Sequence, residues 1–424
     1  MIVTFRRRSL PDLVAQLRWT IPPDVLASAS RIVADVRQRG EVALREHAAR
    51  LDGLEPDAPL VIGREEMARA LQELMPDERQ RLTRIAGRIR AFAEGQRRSV
   101  APFEMSVPGG RTGHVIAPVE RAGCYAPGGR YPLPSSVLMT AVTARAAGVR
   151  EVWVASPRRD RVMLACAALA GADGFLGVGG AHAIAALAYG AGDVPACDVV
   201  VGPGNAWVTA AKQLVFGQVG IDSLAGPSEL VIVADEHCDP GLIAADLLAQ
   251  AEHDPMSVPV LISIGDSLVD RVADELRAQL ETLPTADVAR SGLANGGVVV
   301  VADDDGAVAA CDELAPEHLH LHIANAEAMA PRFGHYGALF VGAASAEVLG
   351  DYGAGPNHVL PTGRASRYAG GLSVLAFLRV RTWLTIRDAL GARESLDDAA
   401  WLGHLEGLEA HARSAELRGS AGAV

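Results

Sequence analysis

The sequence predicts an α/β protein: two consecutive, incomplete Rossmann-like βα arrays, preceded by a helical segment and followed by a small helical tail. Three observations predict this. Apolar runs of four to six residues, bounded by Gly, Pro or Asp, recur through the middle of the chain, the mark of strands buried on both faces of a parallel sheet. Ala-rich stretches of helical length alternate with them. The composition is 49% hydrophobic with 44 Gly, which suits close packing of helices on sheets.

At a prior of ~100–200 residues per domain, 424 residues should hold several units. Residues 1–111 read as mainly helical, with Leu13, Val14 and Leu17, then Ile32, Val33 and Val36 at helical spacing. Residues 112–236 carry the first array, in which Val152–Ala155, Val199–Gly202 and Leu230–Asp235 are the strand runs and 137–147 and 163–170 the helices. Residues 237–368 carry the second, with strand runs at 260–264, 298–303 and 339–342. Residues 369–424 turn helical again and end in a charged, Ala-rich tail.

Composition narrows the function classes. The net charge of −12 and the 4% aromatic content oppose nucleic-acid binding. No run of about 20 apolar residues is present to span a membrane, and the opening Met1–Arg8 lacks a secretory core. Cys124, Cys166, Cys197, Cys238 and Cys311 form no CxxC pair, so neither a disulfide framework nor a thiolate metal site is indicated. A cytoplasmic enzyme is the plain expectation.

Several segments carry chemistry. Asp239-Pro240 begins a helix that Asp254-Pro255 ends; Gln250 and His253 share its last turn and together offer ligands for a borderline metal. A Gly-rich loop presents Asp351 and His358. Ala315-Pro316-Glu317-His318 sets a carboxylate beside an imidazole; both can serve one site only if the Ala-Pro loop carries Glu317. His318, His320 and His322 alternate, which permits a three-histidine metal face, but a polar outer strand face is the simpler reading of His320 and His322. Gly226-Pro227 presents Ser228 without the spacing of a nucleophile elbow. Near the end lie Glu406 and His411, with Gly407 able to bend the chain between them. Three Gly-bearing turns, at 123–129, 177–182 and 202–205, suit a nucleotide.

Taken in order, these segments resemble histidinol dehydrogenases. The resemblance runs from about residue 110 to 411 through Gly123-Cys124-Tyr125, 183–190, Gly202-Pro203-Gly204-Asn205, Gly226-Pro227-Ser228-Glu229, Gln250 to His253, Pro316-Glu317-His318, Gly350-Asp351-Tyr352, Asn357-His358 and Glu406 to His411. It implies four-electron oxidation of L-histidinol to L-histidine through L-histidinal, with zinc and NAD as cofactors. Gln250, His253, Asp351 and His411 would hold the zinc, His411 reaching over from the partner in an intertwined homodimer. His318 would be the base and Glu317 the activator of water. Ser228, His358 and Glu406, with the zinc ligands and His318, would contact substrate, and Tyr125, His182 and Asn205 would contact NAD. Two departures stand out: His182 where the family usually has Gln, and Trp207 where Tyr is usual. The alternatives are a relative that oxidises another small alcohol, such as a sulfonated propanediol, and a zinc hydrolase using Glu317 and His318.

Overall fold

The computed structural model describes residues 5–55, 57–129 and 132–420, so Met1–Thr4 of the leading segment lie outside it. The chain forms two compact units, one of residues 1–94 and 120–377, the other of 95–119 and 378–424.

The larger unit contains two arrays, but the strand Glu229–Asp235, expected in the first, lies at the centre of the second sheet between Val258–Ile264 and His318–Leu321. The first sheet is made of β1 (Val61–Ile62), β4 (Arg121–Tyr125), β5 (Glu151–Ala155), β6 (Gly174–Leu176), β7 (Val199–Val201) and β8 (Gly220–Ile221), in the order β1-β6-β5-β4-β7-β8. All its pairings are parallel except that of β1 with β6. The second sheet is wholly parallel: β9 (Glu229–Asp235), β10 (Val258–Ile264), β11 (Gly297–Val301), β12 (His318–Leu321) and β13 (Ala338–Val341), in the order β11-β10-β9-β12-β13. In both, the first strand in the array has later strands on each side. The strand order therefore reverses there, which opens a crevice at the carboxyl ends.

Burial follows the apolar runs. Every residue of β9 except Asp235 is buried, and Leu230, Ile232 and Ala234 face one apolar cluster while Val231 and Val233 face another. The N-terminal helices supply part of these cores: Ile32, Val33 and Val36 pack with Ile184 and Leu187, and Leu13, Val14 and Leu17 with Val231 and Leu319.

The smaller unit holds an antiparallel sheet, β14 (Leu378–Ile386), β3 (Gly110–Pro118) and β2 (Phe103–Val107), and two helices, Arg393–Leu405 and Glu409–Ser420. The nine-residue strand β14 departs from the helical reading of 369–424. Leu378, Val380, Leu384 and Ile386 recur at even spacing, a strand period, and that signal was in the sequence.

Candidate active site

The helix Pro240–Ala251 forms as expected: Asp239 caps it by accepting from the Gly241 amide at 2.8 Å, and Ile243, Leu247 and Leu248 bury its apolar stripe. It ends at Ala251, two residues before His253, so Gln250 and His253 do not share its last helical turn as the sequence predicts; the His253 amide donates to the Gln250 carbonyl at 3.4 Å in the turn that follows. Gln250 is fully buried, and neither its amide oxygen nor its amide nitrogen has a hydrogen-bond partner among the described residues. His253 Nε2 lies 3.3 Å from Asp351 Oδ2. Asp351 ends the short helix Glu347–Asp351, which brings Glu347 to the same place. Ligand atoms of His253, Glu347 and Asp351 all lie within 4.8 Å of one another. Burial opposes charge on Asp351, yet His253, His318 and His358 outweigh it and hold the carboxyl below its usual range.

The acid–imidazole pair is built by the loop, as the adjacency required. Ala315 takes a left-handed φ of +48° at the end of the preceding helix, unusual for a residue with a Cβ. Glu317 thereby sits just before β12, and its Oε2 comes 3.7 Å from His318 Nδ1. Ser228 Oγ donates to Glu317 Oε2 at 2.6 Å and the Glu229 amide at 2.9 Å. Burial raises the Glu317 carboxyl, with His318 and Ser228 pulling the other way.

His318 Nδ1 lies 2.9 Å from the Glu229 carbonyl. A carbonyl only accepts, so Nδ1 carries a hydrogen, and in the neutral ring Nε2 is the basic nitrogen. Burial disfavours the imidazolium, but Glu347, Glu317 and Asp351 around the ring prevail and lift it to about 9. His358 is arranged in the same way, with Nδ1 3.0 Å from the Asp351 carbonyl; there burial wins and lowers it.

The cofactor candidates meet at one cleft of about 1580 Å³, lined among others by Tyr125, Gly179, His182, Asn205, Ser228 and His253. Gln250, Glu317, His318, Asp351 and His358 are not part of that lining. They reach it through Ser228, bonded to Glu317, and His253, facing Asp351. Tyr125 Oη accepts from the Gly180 amide at 3.1 Å. Asn205 Oδ1 caps the helix Ala206–Val215 by accepting from the amides of Trp207 and Val208. At Gly202 the backbone has φ +123°, and a Cβ would sit 2.0 Å from the Tyr125 carbonyl oxygen, so the turn needs its glycine.

Some residues fall elsewhere or were missed. Glu406 and His411 are exposed in the smaller unit, with Gly407 at φ +72° between the two helices. His320 and His322 are buried, which corrects the outer-face reading: β12 lies inside a parallel sheet whose two faces are both covered. Sequence reasoning assigned no role to Glu347, to Asp52, which faces His182 Nε2 at 2.8 Å and takes the Gly179 amide, or to Glu229. Glu229 is fully buried between the amides of Gly363 and Glu317, and burial pushes it up to about 8. Only the spacing of Glu347 four residues before Asp351 could have pointed to it.

The fold and this site define a dehydrogenase-type α/β enzyme, with a buried acid–base pair beside a cleft walled by Gly-rich turns. A family model described as histidinol dehydrogenase matches residues 20–419. The histidinol dehydrogenase of Thermus thermophilus is 46% identical over 398 residues, covering 93% of this chain and 95% of its own. That of Parasynechococcus marenigrum is 44% identical, covering 96% and 94%. The crystal structure of histidinol dehydrogenase from Elizabethkingia anophelis has a TM-score of 0.91 at 27% identity and covers 98% of both chains. The chain belongs to the histidinol dehydrogenase family.

Proposed function

We propose that the chain oxidises L-histidinol to L-histidine through L-histidinal, with two NAD and one zinc ion per site. One observation carries this reading: a single cleft joins the Gly-rich turns of the first array to Ser228 and His253 beside the buried Glu317–His318 pair. The first array then serves the cofactor, and the second, whose first strand follows Ser228 and begins at Glu229, the chemistry. A hydrolase would leave the turn-lined part of the cleft without a role, and the family does not favour it.

The zinc set fits on chemistry. Gln250 presents a buried amide with no partner among the described residues, next to a His and an Asp already in contact. Gln250, His253 and Asp351 would hold the ion with His411 of the partner subunit. When bound, zinc supplies a fixed positive charge for the substrate's nitrogens, and NAD the hydride acceptor for each oxidation.

The protein's own groups do the rest. His318 Nε2 takes the hydroxyl proton as hydride leaves the carbinol carbon. Glu317 takes a proton from the water that adds to the aldehyde, and His318 serves again as the hydrate is oxidised. Ser228 and the Glu229 amide keep Glu317 aimed. Ser228, His358 and Glu406 contact the substrate; Tyr125, His182 and Asn205 contact NAD. No cysteine nucleophile is needed, and all five cysteines are buried thiols.

A homodimer with shared sites is supported by the smaller unit's surface, where Leu384, Trp401 and Leu405 are 64%, 65% and 67% exposed, an apolar cost that a partner would relieve. Among the described residues no helix is long and apolar enough to cross a membrane, which fits a cytoplasmic enzyme. Purified protein given L-histidinol and NAD should yield two NADH per histidine and lose activity on zinc removal. Mixing inactive His411→Ala and His318→Ala chains should restore part of the activity. NADH from another alcohol but none from histidinol would overturn the substrate, and absence of rescue after confirmed subunit exchange would overturn the shared site.

A further inference from the structure

The buried histidines in β12 and just past its end, His320 and His322, are not idle. Along the helix Pro240–Ala251, Asp246 lies four residues before Gln250 and so on the same stripe; along β12, His320 and His322 continue the face of His318. The two rows meet. His320 Nδ1 is 3.2 Å from Asp246 Oδ2 and His322 Nε2 is 3.0 Å from the same oxygen. The two imidazole rings stand 4.1 Å apart, centroid to centroid. Ligand atoms of all three residues lie within 4.8 Å of one another.

The hydrogen bonding leaves a nitrogen bare in the middle of this group. His320 Nε2 faces the Gly342 carbonyl at 3.1 Å, so Nε2 holds the hydrogen and Nδ1 of the neutral ring is a lone pair. In this fully buried ring Nδ1 lies 3.2 Å from the Asp246 oxygen but has no hydrogen-bond partner among the described residues, while His322 Nε2 donates to that same oxygen at 3.0 Å. A cation that replaced the His322 Nε2 hydrogen would be ligated by that nitrogen, the carboxylate and the unpartnered His320 Nδ1 together. A ring whose outer N–H is tied to a backbone carbonyl is also the usual second-shell arrangement of a metal-ligating histidine.

We propose that Asp246, His320 Nδ1 and His322 Nε2 form a second metal site, for a divalent ion of the zinc class, separate from the set around His253 and Asp351. Two imidazoles and one carboxylate suit a borderline first-row ion. Bonds of about 2.0–2.2 Å set at tetrahedral angles separate ligand atoms by about 3.3–3.6 Å, and the two contacts to Asp246 need to open by only a few tenths of an ångström to match. The Asp246 side chain is 13% exposed, which gives an entry path and room for water to complete the shell. Asp246 lies within the helix and His253 two residues past its end, and the two ligand groups have no residue in common, so the two ions would not share ligands. The second ion pins the strand that bears His318 to the helix that bears Gln250. Its role is to hold the catalytic elements in register.

The test is metal stoichiometry on the full-length protein, by dialysis against zinc followed by elemental analysis. Wild type should bind two zinc ions per chain, His320→Gln/His322→Gln one, and Asp351→Asn one. A crystal of the wild-type protein soaked in zinc should show an anomalous peak among Asp246, His320 and His322, which needs no variant to fold. Loss of zinc in the histidine variant alone, with Asp351→Asn unaffected, would support this site and sink the catalytic-zinc reading instead. Wild type binding one ion, lost with Asp351→Asn and kept by the histidine variant, would overturn the proposal, as would an occupied catalytic site with no anomalous peak at the cluster.

Discussion

Replacing Ser228 by Ala tests how the water-activating carboxylate is tuned. Glu317 is buried and takes two donors on one oxygen, the Ser228 hydroxyl at 2.6 Å and the Glu229 amide at 2.9 Å. Burial raises this carboxyl, and the Ser228 hydroxyl is among the groups that hold it down. A hydrogen bond to a charged group contributes about 1.5–3 kcal/mol. Its loss should therefore push the Glu317 carboxyl further up. Glu317 must be ionised to take a proton from water. Its ionisation thus contributes to the acid limb of the second half-reaction beside that of His318, and raising its pKa moves that contribution to higher pH. Below the wild-type limb the variant should be slower by about 10- to 100-fold, and well above the shifted limb it should approach wild type. The assay is NADH formation from L-histidinal across pH, read as kcat/KM. A uniform loss of rate with the limb unmoved would refute the reasoning and leave Ser228 as a substrate contact only.

Three further outcomes follow from the structure. Asp52→Asn weakens the anchor of the Gly179–His182 turn, so KM for NAD should rise by about fivefold, the ~1 kcal/mol of a hydrogen bond, while kcat at saturating NAD changes little; an unchanged KM would detach this turn from the cofactor. Asp222→Ala strands the buried Lys212 ammonium, which it pairs, and the Gly202 amide it accepts from. Removing one partner of a buried pair costs about 3–5 kcal/mol, seen as a lower denaturation midpoint that Lys212→Met should partly restore. Burial pushes the thiols of Cys124 and Cys166 up to about 12 and that of Cys238 up to about 11. The native enzyme should therefore resist iodoacetamide that labels all five cysteines in urea, and rapid inactivation by alkylation would contradict it.

Much of this was legible in the chain itself. Apolar runs located strands in both sheets, because a strand covered on two faces must be apolar throughout, but did not show which sheet Leu230–Asp235 would join. Asp239, Pro240 and Asp254 bracketed the helix that carries Gln250, because caps and breakers act locally. The Ala315-Pro316 loop had to carry Glu317, since neighbours on a strand face opposite ways. What the sequence could not decide were meetings across distance. Asp52 reaches His182 from 130 positions away, and Asp246 reaches His322 from 76. Glu347 matters only because its short helix sets it beside His318. His320 and His322 alternate with Leu319 and Leu321, which locally reads as one wet face and one dry. Whether the second face is wet depends on what packs there, and only the tertiary fold laid a helix bearing Asp246 across it.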